Sequence, residues 1–172
     1  MFIAEAPGRL GAEISGIPLS GDRTGDRFDQ LLAAMNWDRT KVFITNAVLC
    51  NPRDGNGHND APRHVEIANC SSFLRRTISV VDPKLVVALG RVALDALNLI
   101  EGHSCQLRSS VGQLVGWYGR QLGVLYHPGP RTVVHRSWNQ QVEDARKLAC
   151  KAGQILGRSA AREGPVASQA VI

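Results

Sequence analysis

Three short runs of unbroken apolar or β-branched residues punctuate the chain: Phe2-Ile3-Ala4, Val42-Phe43-Ile44-Thr45 and Leu85-Val86-Val87-Ala88-Leu89. Their composition marks strands, and apolarity at consecutive rather than alternate positions marks strands covered on both faces, as in a parallel sheet. Between them the apolar spacing lengthens to three and four. One helix is expected from a Thr24 cap through Phe28, Leu31, Leu32 and Met35, and a second from about Arg63 through Ile67, Phe73, Leu74 and Ile78 to the break at Asp82-Pro83. A shorter helix follows Gly90 with Val92, Leu94 and Leu97. Beyond it, a glycine- and serine-containing stretch leads to Gln113 to Trp117 and the strand Leu122-Gly123-Val124-Leu125, and a last helix runs from about Ser137 to Ala152.

Strands and helices in alternation predict an α/β fold, a three-layer α/β/α sandwich with a mostly parallel central sheet of about four strands. Its ligand site should lie beyond the carboxyl ends of those strands. The domain is expected to span residues 1–156, whereas residues 157–172 turn to Ala, Ser, Gly and Pro without periodicity and read as a disordered tail.

The chain has 172 residues, the size of one domain with one core. Apolar residues make up 44%, the mean hydropathy is -0.11, and no apolar run approaches the ~18 residues of a membrane span. Met1 to Ala4 meets Glu5 at once, without the features of a secretion signal, so a cytoplasmic protein is expected. Four cysteines, at 50, 70, 105 and 150, are too few and too spread for a disulfide scaffold and read as thiols or metal ligands. A net charge of +5, with arginine the main cation, admits an anionic partner such as nucleic acid.

Polar segments stand just past three of the predicted strands: Ala4-Glu5-Ala6-Pro7-Gly8, Thr45-Asn46-Ala47-Val48 and Tyr126-His127-Pro128-Gly129-Pro130. A fourth, Gly16-Ile17-Pro18-Leu19-Ser20-Gly21, precedes the first long helix. Taken singly, Asn46 reads as a turn residue satisfied by backbone or as an amide aimed at a ligand, and His127 as a loop residue or a donor. Together and in this order, the four segments resemble the motifs of the uracil-DNA glycosylase superfamily, in its bacterial and archaeal iron–sulfur branch (families 4 and 5). The likeness runs from residue 2 to about 150, through Cys50-Asn51-Pro52-Arg53 and the helix bearing Cys70.

The resemblance implies a repair hydrolase that cuts the N-glycosidic bond of deoxyuridine in DNA and leaves an abasic site. Asn46 would read the flipped base, donating to uracil O4 and accepting from N3–H, a pattern that cytosine reverses. His127 would donate to O2 as negative charge builds there, helped by the backbone amide near Glu5. Leu19 would wall the pocket. Pro7, Gly8, Ser20, Gly21 and Gly129 would bring backbone close to phosphates, and Arg131, His135 and Arg136 would form an arm on the duplex or else a solvated helix start.

Several positions depart from the family pattern. Ala6 stands where the best-known branch has an aspartate, which leaves Glu5 as first candidate to position water and Glu13 as second, unless either is an ordinary solvated carboxylate. Leu19 replaces the usual phenylalanine and removes a stacking face worth roughly 1–3 kcal/mol, so weaker uracil binding or an altered base preference is expected. Gly129 replaces the usual serine. Cys50 and Cys70 match one of the two cysteine pairs that hold the cluster in this branch, and such a cluster needs four thiolates. The chain reads as shortened at its amino end, with half of an iron–sulfur site. The chemistry is expected to need no cofactor, and a cluster to bind only if an upstream cysteine pair is restored; Cys105 and Cys150 read as buried or surface thiols.

The expected partner is uracil-containing DNA, with no membrane and a monomeric protein. Two other readings use the same residues differently: a non-catalytic damaged-DNA or abasic-site binder on this fold, and an α/β domain for a small nucleotide. The second lacks a glycine pattern for a dinucleotide or P-loop site after any strand.

Overall fold

The computed structural model describes residues 1–162. Five strands, β1 (Phe2–Ala4), β2 (Ile44–Asn46), β3 (Leu85–Leu89), β4 (Leu114–Trp117) and β5 (Arg120–Leu125), form one sheet in the order β2-β1-β3-β5-β4. All neighbours are parallel except β4, which runs antiparallel to β5 at the edge. The mostly parallel sheet expected from unbroken apolar runs is therefore present, with one strand more than the expected four or so. That strand returns through a two-residue turn, Tyr118 (φ 48°) and Gly119 (φ 70°), of the left-handed kind that matches the twist of a hairpin. An aromatic first residue there gives none of the usual Asn-Gly or Asp-Gly signal; the guanidinium groups of Arg120 and Arg75 lie 5.3 and 5.9 Å from the Tyr118 ring.

Helices cover both faces. On one, Ile3, Val86, Ala88, Leu122 and Val124 pack against α3 (His64–Val81) and α4 (Arg91–Asn98). On the other, Phe2, Ala4, Val87, Leu89 and Leu125 meet Phe28 and Leu31 of α2 (Arg23–Ala34) and Leu148 of α6 (Trp138–Arg162). Alternate residues of each strand go to opposite cores, which is why the runs show no polar break. Two short helices, α1 (Ala12–Ser15) and α5 (Leu107–Ser110), and the 3-10 turns Arg39–Lys41 and Pro130–Val134 are the other helical segments among the described residues. No described helix is long and apolar enough to cross a membrane.

Local details differ from the sequence reading. The cap of α2 is Asp22, whose Oδ1 accepts from the N–H groups of Thr24 and Gly25 at 2.9 and 3.0 Å, so Thr24 lies inside the first turn. On α3 the buried positions are Ile67, Leu74 and Ile78, one stripe at helical spacing, and Phe73 falls beside it, 60% exposed. Asn46 ends β2 rather than following it. The last helix continues to Arg162, past the expected end at Ala152 and into the segment expected to be a tail; residues 163–172 lie outside the described ones.

Between β5 and α6 the chain is tied down by Arg136. Its Nε and Nη2 donate to Asp144 of α6 at 2.8 and 2.6 Å, the carboxylate is buried, and the Arg136 carbonyl accepts from Gln141 Nε2 at 2.8 Å. Such a fork-to-fork pair is strong because both charges are hydrogen-bonded. Arg136→Ala leaves the buried carboxylate unpaired and should cost about 3 kcal/mol of stability in urea unfolding. Lys147→Ala, which breaks an exposed pair with Glu143, should cost under about 1 kcal/mol. Equal losses in the two variants would show that the loop anchor carries no special weight.

Candidate active site

Parallel pairing brings the ends of four strands to one edge. Beyond that edge lies a cavity of about 120 Å³ walled by Glu5, Ala6, Pro7 and Gly8 from the loop after β1, by Leu19 and Ser20, and by His127 from the loop after β5. It opens on a groove of about 620 Å³ that shares Glu5 and His127 and adds Arg9, Arg23, Gly129 and Arg131 on its sides. Three of the four sequence segments thus converge.

His127 is the best-defined donor. The Gly129 N–H points at its Nδ1 at 3.0 Å, and since an amide can only donate, Nδ1 must accept. Burial pushes the imidazole down from 6.5 to about 4, opposed in part by the nearby Asp22 charge, so the ring is neutral at pH 7. A neutral ring accepting at Nδ1 carries its proton on Nε2. Two glycines make room for it: a β-carbon on Gly129 would stand 2.9 Å from Nδ1, and one on Gly90 (φ 94°) would stand 3.1 Å from the His127 Cβ. The glycine at 129 therefore fits the ring's position closely.

Asn46 does not line the cavity. It is buried at the end of β2, level with Ala4 on β1, and the following residues join the Glu5 loop through the Ala47 N–H to the Ala4 carbonyl and the Val48 N–H to the Glu5 carbonyl, at 2.8 and 3.0 Å. Among the described residues no protein group hydrogen-bonds its carboxamide. Leu19 lines the cavity from the α2 side, with a left-handed backbone (φ 50°) and its carbonyl and that of Pro18 held by Arg39 Nη2 at 3.0 and 2.7 Å.

Glu5 faces both cavity and groove, and burial pushes its carboxyl above the ordinary range. Glu13 is elsewhere: it pairs with Arg53 at 2.6 Å and accepts from Asn51 Nδ2 at 2.8 Å, contacts that hold its pKa down. This pairing fixes the loop after β2. Asn51 Nδ2 also reaches Asn59 Oδ1, which takes the Arg9 N–H as well, both at 3.1 Å. In consequence Asn59, together with Asp60 and the cap residue Asp22, enters the cavity wall. None of the three was singled out from the sequence; the loop after β2 is polar and aperiodic, and Asp22 looks like a helix start.

The remaining expected residues lie apart. Arg136 is committed to Asp144, His135 borders a different cavity beside Arg91 and Tyr126, and Gly21 (φ 83°) turns the chain behind the wall. Cys50 is exposed and Cys70 half-buried, both as free thiols. Among the described residues no three His, Cys, Asp or Glu side chains converge as a metal site, and two cysteines cannot supply the four thiolates of a cluster, so these residues do not fit one.

Comparison with known sequences adds relatives. The profile of the uracil DNA glycosylase superfamily matches residues 1–150. A type-4 uracil-DNA glycosylase of Archaeoglobus fulgidus is 29% identical over 163 residues, 92% of this chain and 77% of that protein. A type-4 enzyme of Saccharolobus solfataricus is 38% identical over 134 residues, 74% of this chain and 59% of its own length. A type-5 enzyme of Pyrobaculum aerophilum is 29% identical over 146 residues, 77% of this chain and 62% of that protein. The chain thus spans less than two thirds of the length of the last two.

His127 makes stability depend on pH. In the unfolded chain the ring takes a proton near pH 6.5, while in the folded one it resists until about 4. Its contribution is complete above pH 6.5 and is lost as pH falls towards 4. The melting temperature should decline over that interval, and His127→Gln should flatten that part of the decline; an unchanged profile in the variant would remove the buried neutral imidazole from the account.

Proposed function

Because the chain belongs to the uracil-DNA glycosylase superfamily, we propose that it hydrolyses the N-glycosidic bond of deoxyuridine in DNA, releasing uracil and leaving an abasic site. The observation that carries this reading is the neutral His127 with its proton on Nε2, beside a cavity at the edge of the sheet. A uracil leaving as an anion gathers charge at O2. A neutral, preorganised N–H donor stabilises that charge without having to give up a proton first.

The everted nucleotide enters the cavity along the groove, past Leu19, and for Asn46 to read its Watson–Crick edge the carboxamide, buried at the end of β2 outside the cavity lining, has to turn towards the base. Donation to O4 and acceptance from N3–H favour uracil over cytosine. Backbone at Pro7, Gly8 and Ser20 in the cavity wall and at Gly129 in the groove can approach the entering strand, whereas Gly21 lines neither, and Arg131 with Arg9 and Arg23 provides cationic walls for phosphates. Glu5 lies between base and sugar, where its carboxyl can hydrogen-bond either a water or the base. Arg136, occupied by Asp144, anchors the arm instead of gripping DNA. Every step uses this chain's own side chains and amides.

Incubation with a uracil-containing oligonucleotide followed by hot alkali should give strand scission. His127→Ala should slow excision by about 10²–10³-fold, the usual loss for a donor at a developing oxyanion. Asn46→Ala should lose the preference for uracil over cytosine. Binding of the intact duplex should weaken steeply with added salt as cations release counterions from phosphates. An oligonucleotide left uncut by the native chain at every salt concentration would end the enzymatic reading.

A further inference from the structure

The loop that carries His127 is shaped from within and placed from outside. Gly129 donates its N–H to the ring at 3.0 Å, and its carbonyl accepts from the Thr132 N–H at 3.1 Å. Both contacts lie inside the loop, so they would survive if the loop moved as a body against the sheet. The ring follows Gly129 closely, since a β-carbon there would stand 2.9 Å from Nδ1. Whatever places Gly129 therefore places the donor.

Arg27 reaches that residue from α2. Its Nη1 donates to the Gly129 carbonyl at 3.4 Å, and its guanidinium lies 5.1 Å from the centre of the Trp138 ring at the start of α6. Other arginines near the cavity are used differently. Arg39, Arg53 and Arg136 pair with Asp29, Glu13 and Asp144, whereas Arg9, Arg23 and Arg131 line the open groove. Arg27 is half-buried, lines neither cavity nor groove, and has no carboxylate partner among the described residues. A flat cation stacked on an indole is fixed in direction, and the direction here is towards the His127 loop.

Resting on the glycosylase reading, we infer that Arg27 is a positioning residue for His127: braced on Trp138, it holds the Gly129 carbonyl and so sets where the loop after β5 presents the imidazole. It touches neither base nor phosphate and acts through the donor. α2 is then tied to the cavity on two sides, to Leu19 through Asp29 and Arg39 and to the His127 loop through Arg27. At 3.4 Å the contact is long for a hydrogen bond, so it guides the loop and does not clamp it. Its loss should cost less than loss of the donor itself.

Arg27→Met keeps an unbranched stem against Trp138 and removes the N–H. Its single-turnover rate on a uracil-containing oligonucleotide should fall about tenfold, less than the loss of about 10²–10³-fold for removing an oxyanion donor outright. Affinity for the same oligonucleotide carrying a non-hydrolysable 2′-fluorinated deoxyuridine should change less than about threefold. The loss should also depend on the leaving group. A 5-fluorouracil anion is more stable and leans less on a donor at O2, so with that base Arg27→Met should lose under about threefold. In a His127→Ala background, Arg27→Met should change the rate less than about twofold, because the effect runs through the ring. If Arg27→Met melts well below native, Arg27→Lys, which keeps the charge but not the flat group, should show the same dependence on leaving group with a smaller loss. An unchanged rate in Arg27→Met, equal losses on uracil and 5-fluorouracil, additive losses in the double variant, or a loss matched by weakened binding overturns the assignment and leaves the glycosylase reading standing. No excision by native protein overturns both.

Discussion

Phe2, Ile3 and Ala4 have no exposed surface, and this three-residue strand pairs in parallel on both sides. Burying a side chain such as Phe2 or Ile3 contributes roughly 1.5–3 kcal/mol each, and Phe2 adds edge-on contacts to Phe28 and Trp37 at 5.1 and 5.9 Å. So short a strand has no freedom of register, because a slip by one residue would send Phe2 and Ala4 into the opposite core. Its register fixes Ala4 beside Asn46 and Ile3 beside Ala88. From that constraint follows the position of Glu5, the first residue past the strand, and with it the floor of the cavity.

Both signs of charge line the cavity and its groove. Carboxylates of Glu5, Asp22 and Asp60 line the cavity and reach the wider groove, where Arg9, Arg23 and Arg131 stand beside them. The imidazole between them is neutral, a suitable state for a donor that must stabilise negative charge without adding a full charge of its own to an acidic pocket. The +5 net charge thus gives no sign of the carboxylates gathered beside the imidazole.

Much of the architecture could be read from the runs of apolar residues. Strands β1 and β3 were visible because both faces are covered, and the segments after β1 and β5 were visible as motifs; β4 was not, since its turn uses Tyr118 in a left-handed conformation. The partners of Arg136 and Glu13 were equally hidden, because a charge names no partner in the sequence. Asp144 lies eight residues on, across a bend, and Arg53 forty residues on, across a strand. Asp22 was hidden for another reason. It does a structural job as a cap with one oxygen, and nothing in a sequence tells what the other oxygen faces.

Leu19 shows how a side chain is aimed against its own preference. A left-handed backbone costs a non-glycine residue roughly 1–2 kcal/mol, so leucine at φ 50° needs support from outside the turn. Arg39 supplies it. One guanidinium nitrogen holds the carbonyls of Pro18 and Leu19 at 2.7 and 3.0 Å, the other holds Asp29 of α2 at 2.6 Å, and the group sits over the Phe28 ring at 5.6 Å. The same α2 carries Phe28 and Asp29 and is capped by Asp22, so the helix that bears the carboxylate facing the cavity also sets the direction of the leucine that covers it. Leu19 and Asp22 are thus both tied to α2, one through Arg39 and the other as its cap. A change that tilted α2 would therefore move the leucine and the cap together and alter the cavity from two sides.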